Sequence, residues 1–178
     1  MRTEDLMHLE QVGALHNTVL LDETEAFMCR AQTIMKAGGH PSDILGLVYA
    51  ESFSASNAQG DNAIFIDEDQ SANENCLYAI GLHEMGHVVC GHNKRKQTSD
   101  HKTTFAEVVE MEFEAWGWAI ANARRPIFED DEVVCLMLDA LSTYTDKLAI
   151  LEQHGKVYEE EIDVGIGPDG RTSIRFPK

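Results

Sequence analysis

The chain has 178 residues, of which 43% are hydrophobic and 25% charged, and its formal net charge is −17. This length suffices to bury a full core, so we expect one domain over residues 1–178. The negative charge disfavours direct nucleic-acid binding. No run approaches the ~20 apolar residues of a membrane span, and the N-terminus lacks the apolar segment of a secretory signal. We therefore expect a cytoplasmic protein without membrane contact.

The first 70 residues predict helices followed by strands. Leu6, Leu9 and Val12 indicate a short helix, and Asp22 opens a second one that "AGGHP" ends. The segments "ILGLVYAESF" and "AIFID" are rich in branched and aromatic residues. They predict two strands, and both are apolar enough to lie in a sheet covered by helices.

The rest of the chain predicts three capped helices and a hairpin. "SANE", from Ser71, is a capping box that predicts a helix from 72 to about 90, ended by Gly91; "TFAE", from Thr104, predicts the next helix. A third helix is expected from Asp130 or Asp131 to Gly155, and the tail alternates around the turn "PDG". The element order predicts an α+β domain with helices packed on a small sheet.

The first capped helix contains the segment "LHEMGH" in an otherwise apolar run. His83 and His87 are four residues apart, so they lie one turn apart on the same helix face and can direct two ring nitrogens at one ion. Zinc binds neutral imidazoles. Glu84 flanks that face and is expected to be the general base, as in HExxH metallopeptidases. The alternative is a pair of core histidines bonded to backbone carbonyls.

The third ligand must come from elsewhere. Cys90 and Asn93 stand where a metzincin needs glycine and histidine. Cys90 is also roughly 10 Å along the helix from His83, too far for one ion. His92 is expected to be a helix-terminal histidine facing the last carbonyls.

The second capped helix offers several glutamates as the third ligand. Glu114 is preferred because small Ala115 and Gly117 would let the two helices approach closely. Glu110 is the runner-up, and solvated positions are expected for Glu107 and Glu112. The stripe expected to face the core comprises Phe113, Trp116 and Ile120.

The chain resembles the ImmA/IrrE family of metallopeptidases through "AIFID", "LHEMGHVVCGH" and "EAWGWA". The resemblance covers roughly residues 44–126, and the extension 128–178 matches nothing in the family pattern. The family's usual aliphatic stretch is replaced by "IANARRP", and no helix-turn-helix segment is seen at the N-terminus. The positions that fall on the family pattern are His83, Glu84, Gly86, His87, Gly91, His92, Glu114, Ala115 and Ala119, with Trp118 in an aromatic position.

The resemblance implies a zincin-like core with the HExxH helix after a short strand, Zn²⁺ held by His83, His87 and Glu114, and Glu84 as the catalytic residue. The implied activity is site-specific cleavage of a regulatory protein, commonly a DNA-binding repressor, in a bacterium, phage or mobile element. Two other classes stay open. One is a regulatory binding protein that keeps a structural zinc and sequesters its partner without cutting it. The other is a metal-free helical interaction domain.

Overall fold

The structure, a computed structural model, describes residues 1–23, 25, 26, 29, 52–56, 61–68, 71–92, 102–158, 163–166 and 172–175. Four helices are described from end to end, namely α1 (Thr3–Leu15), α2 (Glu74–Val89), α3 (Phe105–Asn122) and α4 (Asp131–Gln153). The strands are β1 (Thr18–Leu20), β2 (Phe53–Ser56), β3 (Asn62–Phe65), β4 (Asp163–Ile166) and β5 (Thr172–Arg175). The predicted α+β class is confirmed.

The three-stranded sheet has the order β1-β3-β2, with β3 in the middle. β1 runs parallel to β3, with Val19 opposite Ala63, and β2 runs antiparallel to β3, with Phe53 opposite Phe65. The predicted strand "AIFID" corresponds to β3. Most of "ILGLVYAESF" lies outside the described residues, and β1 was not predicted, because three residues are too few to show an alternating pattern.

The tail forms the predicted hairpin. β4 pairs with β5 in antiparallel register, with Val164 opposite Ile174. The "PDG" turn that was expected to join them lies outside the described residues, as does the "AGGHP" segment. The helix expected after Asp22 is helical at Glu23 and Ala26, but most of it also lies outside the described part of the chain.

The helix ends follow local sequence signals, with one correction. The capping box of Thr104 and Glu107 begins α3 as predicted, and the Asp130 side chain caps α4. For α2 the cap is Asn73, whose side chain accepts from the Asn75 amide at 2.8 Å. The prediction of a Ser71 cap was therefore wrong: Ser71 lies two residues before the observed cap, and its hydroxyl accepts from the Asn73 amide.

Helix α2 is the central element of the core. From Cys76 to Val88 every residue except Glu84 is buried, and Met85 and Val88 pack against Ile64 of the sheet. A helix that is apolar nearly all round is expected to be enclosed by its neighbours. Trp116 and Ala119 of α3 lie in the core cluster that includes Tyr78, Ala79 and Leu82 of α2.

The close approach of α2 and α3 occurs at Gly86. A Cβ atom at this position would lie 2.6 Å from the Ala115 carbonyl oxygen and 2.9 Å from the Ala115 Cα. Only glycine permits this separation of the two backbones, because any larger residue would overlap the facing helix. Ala115 thus acts at the contact as predicted, whereas Gly117 faces open space.

A partly buried ion pair ties α1 to the segment after α3. The Nη2 and Nε atoms of Arg125 donate to the Asp5 carboxylate, at 2.7 and 3.1 Å. The Arg125 guanidinium also donates to the Asn75 side chain near the start of α2. Among the described residues, no helix combines the length and apolar character needed to cross a bilayer.

Candidate metal centre

The imidazoles of His83 and His87 converge on the α2 face that meets α3. Their Nε2 atoms are 3.1 Å apart, and both residues are buried. This is the one-turn arrangement that the spacing of the two histidines predicted. The third group facing them is the Glu112 carboxylate, whose Oε2 lies 3.3 Å from His83 Nε2 and 3.5 Å from His87 Nε2.

The position of Glu112 corrects the sequence analysis. This residue was expected to be solvated, yet it is only 7% exposed, and it is the glutamate that the structure brings to the histidine pair. Glu114, the preferred ligand, lies elsewhere, and Glu110, the runner-up, is exposed. Glu107 is used in the α3 capping box.

The cause is the helical phase of α3. The predicted core stripe contained Phe113 and Ile120, but these side chains are 51% and 49% exposed. The buried stripe is instead Phe105, Val109, Glu112, Trp116 and Ala119, at helical spacing. Each residue rotates a helix by about 100°. A stripe shifted by one position therefore places Phe113 on the exposed face of α3 and Glu112 on the buried face. Extending the spacing from Phe105, Val109 and Trp116 would have identified this phase from sequence.

Three ligand atoms that lie 3.1, 3.3 and 3.5 Å apart fit a small divalent cation. Tetrahedral zinc with bonds of about 2.0–2.1 Å separates its ligand atoms by about 3.3–3.4 Å, so the triangle has the size that zinc needs. Two imidazoles and one carboxylate are also the donor set of catalytic zinc sites, which leave the fourth position open. The residues present therefore fit the ion that the resemblance implied.

The surroundings of Glu112 keep its carboxyl ionised, which is the form that binds a metal ion. Burial by itself raises the pKa of the Glu112 carboxyl, but hydrogen bonds and charge from His83 and His87 outweigh burial and hold that pKa well below its ordinary value of 4.5. Glu112 is therefore an ionised, buried carboxylate facing two ring nitrogens. Such a group is stable in a core only with hydrogen-bonding or cationic partners.

Different contacts orient the two imidazoles. His83 stacks on the indole of Trp116, with ring centroids 4.3 Å apart and planes 25° apart, and its Nδ1 has no hydrogen-bond partner among the described residues. The Nδ1 of His87, in contrast, lies 2.8 Å from Nδ1 of His92. Stacking therefore fixes one ring of the pair, and a hydrogen bond fixes the other.

His92 and Glu114 form a second group of potential ligands with Cys90. His92 is fully buried, and its Nε2 lies 2.9 Å from Oε2 of Glu114. The expectation that His92 faces the last helix carbonyls is not supported, because both of its ring nitrogens contact side chains. Glu114 thus connects to the histidine pair through His92.

Glu84 differs from the rest of its helix. It is the single residue between Cys76 and Val88 that is not buried. It follows a candidate ligand directly in sequence, and its partial exposure gives water and substrate access to its carboxylate. The structure therefore places a partly exposed carboxylate next in sequence to His83.

Cys29, Cys76, Cys90 and Cys135 form no disulfide among the described residues. Comparison of the chain with protein-family models, curated proteins and solved structures found no match. The resemblance to ImmA/IrrE metallopeptidases therefore stays a prediction from the motif residues.

Proposed function

We propose that this protein is a zinc-dependent endopeptidase that cleaves a regulatory protein at a specific site. The observation that carries the proposal is the triangle of His83 Nε2, His87 Nε2 and Glu112 Oε2, whose edges of 3.1–3.5 Å match the ligand spacing of tetrahedral zinc. The three residues would hold the ion and leave one position open. A structural zinc site more often has four protein ligands.

The chain's own residues supply the proton transfers. A zinc ion held here would contribute Lewis acidity to the attacking water and to the scissile carbonyl. Glu84, beside His83 and partly exposed, accepts the proton from the water as it attacks and passes that proton to the leaving amine. Glu112 stays ionised because its pKa is held low, so it acts as a ligand rather than as a base.

The proposed substrate class follows from the resemblance and from charge. Family members commonly cut DNA-binding repressors, and a net charge of −17 favours encounter with a basic protein. We propose a repressor-type protein as the substrate, with both proteins in the cytoplasm of a bacterium and encoded by the bacterium, a phage or a mobile element.

The catalytic test compares wild type with Glu84→Gln. We expect both proteins to bind one zinc ion, and new protein N-termini, detected by mass spectrometry of whole cells, to arise only with wild type. The amide keeps the size of the carboxylate but cannot accept the proton. Identical sets of N-termini in the two strains would reject the peptidase proposal. A partner that copurifies intact with both proteins would instead identify a sequestering protein.

The ligand assignment is tested by Glu112→Ala against Glu110→Ala. Zinc binding of about 10–16 kcal/mol spread over four ligands gives about 2.5–4 kcal/mol each, so loss of Glu112 should weaken zinc binding about 100- to 1,000-fold. Glu110 lies on the same helix but is exposed, and its removal should leave the affinity unchanged. Equal affinities of the two variants would show that Glu112 is not a ligand.

A further inference from the structure

A continuous chain of side chains leads away from the metal centre on the side opposite Glu112. His87 Nδ1 lies 2.8 Å from His92 Nδ1, and His92 Nε2 lies 2.9 Å from Glu114 Oε2. We refer to Glu114, His92 and His87 as the imidazole chain. His92 is completely buried, whereas the Glu114 side chain is 48% exposed.

The donors and acceptors of the imidazole chain fix the direction of its hydrogen bonds. A carboxylate only accepts, so the hydrogen between Glu114 and His92 must sit on His92 Nε2. The Nδ1 of neutral His92 is then an acceptor, and the hydrogen between the two rings must sit on His87 Nδ1. In the form of His87 that binds a metal, with its hydrogen on Nδ1, the Nε2 consequently presents a lone pair, and this is the atom that faces His83 and Glu112.

We propose that Glu114 and His92 are positioning residues that fix His87 in the tautomer able to bind a metal. Without a carboxylate at the far end, His92 could carry its hydrogen on Nδ1 and donate it to His87. His87 would then carry its own hydrogen on Nε2, the atom needed for the metal. Partners of this kind commonly set the tautomer of metal-binding histidines. The inference rests on the proposed ligand role of His87.

Local backbone geometry makes the imidazole chain possible. Gly91 has φ +73°, a left-handed conformation that ends α2 and that residues with a side chain rarely adopt. The turn carries His92 back to the far nitrogen of His87, five residues earlier. Glu114 lies on α3, two residues after Glu112. The same helix therefore supplies the carboxylate that contacts His92 and the carboxylate that faces Nε2 of His87.

The test reads the tautomer of His87 directly in the metal-free protein, by long-range ¹⁵N–¹H correlation NMR. In wild type we expect hydrogen on Nδ1 of His87 and on Nε2 of His92. In Glu114→Gln, whose side-chain amide can donate as well as accept, we expect His87 to become a mixture of tautomers. Glu110→Gln, one turn away and exposed, is the matched control and should give the wild-type spectrum.

Cobalt(II) affinity, measured from its visible absorption, provides the second measurement. We expect Glu114→Gln to bind cobalt(II) about 10- to 100-fold more weakly, the range found for partners of metal-binding histidines. Hydrogen on Nε2 but not on Nδ1 of His87 in wild type, or an unchanged tautomer and affinity in Glu114→Gln, would overturn the inference. The NMR result does not depend on peptidase activity, so it can fail or succeed independently of the proposed function.

Discussion

Replacement of Gly86 by alanine tests whether the close approach of α2 and α3 builds the metal centre. The added Cβ would lie 2.6 Å from the Ala115 carbonyl oxygen, whereas ordinary contact begins near 3.4 Å, so the α3 backbone must retreat by about 0.8 Å. Glu112 lies one turn before Ala115 on α3 and would move with it. Ligand distances in metal sites are held within about 0.2 Å, so the expected shift is large for the site.

The energetic effect has two opposing parts. Alanine in a helix interior is favoured over glycine by about 0.5–1 kcal/mol, and forcing a methyl group into a packed contact costs about 1–3 kcal/mol. We expect Gly86→Ala to lower the free energy of unfolding by up to about 2.5 kcal/mol, the net of these two effects. Zinc affinity should fall at least about tenfold because the carboxylate is displaced.

Gly117→Ala is the matched control, because Gly117 is also inside a helix but its Cβ would meet no atom within 4 Å. It should raise the free energy of unfolding by about 0.5–1 kcal/mol and leave zinc binding unchanged. Urea denaturation of the metal-free proteins and competition with a chromophoric chelator measure the two effects. If Gly86→Ala were as stable as Gly117→Ala and bound zinc like wild type, the proposed role of the close approach would be refuted.

Three further predictions address the surroundings of the site. The variant Trp118→Phe leaves Trp116, which stacks on His83, as the only tryptophan. One equivalent of cobalt(II) should quench its fluorescence, and a chelator should restore the fluorescence. No quenching would contradict metal binding at His83. Asp5→Asn should lower the free energy of unfolding by about 3 kcal/mol. This is the low end of the range for a broken buried ion pair, because the side chain of its partner Arg125 is 22% exposed. An unchanged urea midpoint would contradict this prediction. Burial and a nearby arginine lower the pKa of His8 from 6.5, so the unfolded chain binds this proton more readily and stability is lost as pH falls below that value. Relative to wild type, His8→Gln should therefore gain unfolding free energy on going from about pH 7.5 to about pH 5, and a pH-independent difference would be inconsistent with the buried position of His8.

Sequence signals were reliable where they acted within a few residues. The capping box of Thr104, the start of α4 at Asp131 and the left-handed glycines at positions 91 and 155 lie where the sequence placed them. The spacing of His83 and His87 put their rings together because helix geometry alone dictates that contact. These features need no information about the rest of the chain.

The choice between Glu112 and Glu114 depended on tertiary structure. They are two residues apart on one helix, and only the packing of α3 against Gly86 decides which of them faces the histidines. Reading the helix by hydrophobicity placed Phe113 in the core and Glu112 in water, because an acidic residue ordinarily avoids burial. Burial of Glu112 becomes favourable when two imidazoles, and in the proposed state a metal ion, lie opposite it. Those partners belong to another helix, so the cause of the burial is not local to the sequence of α3.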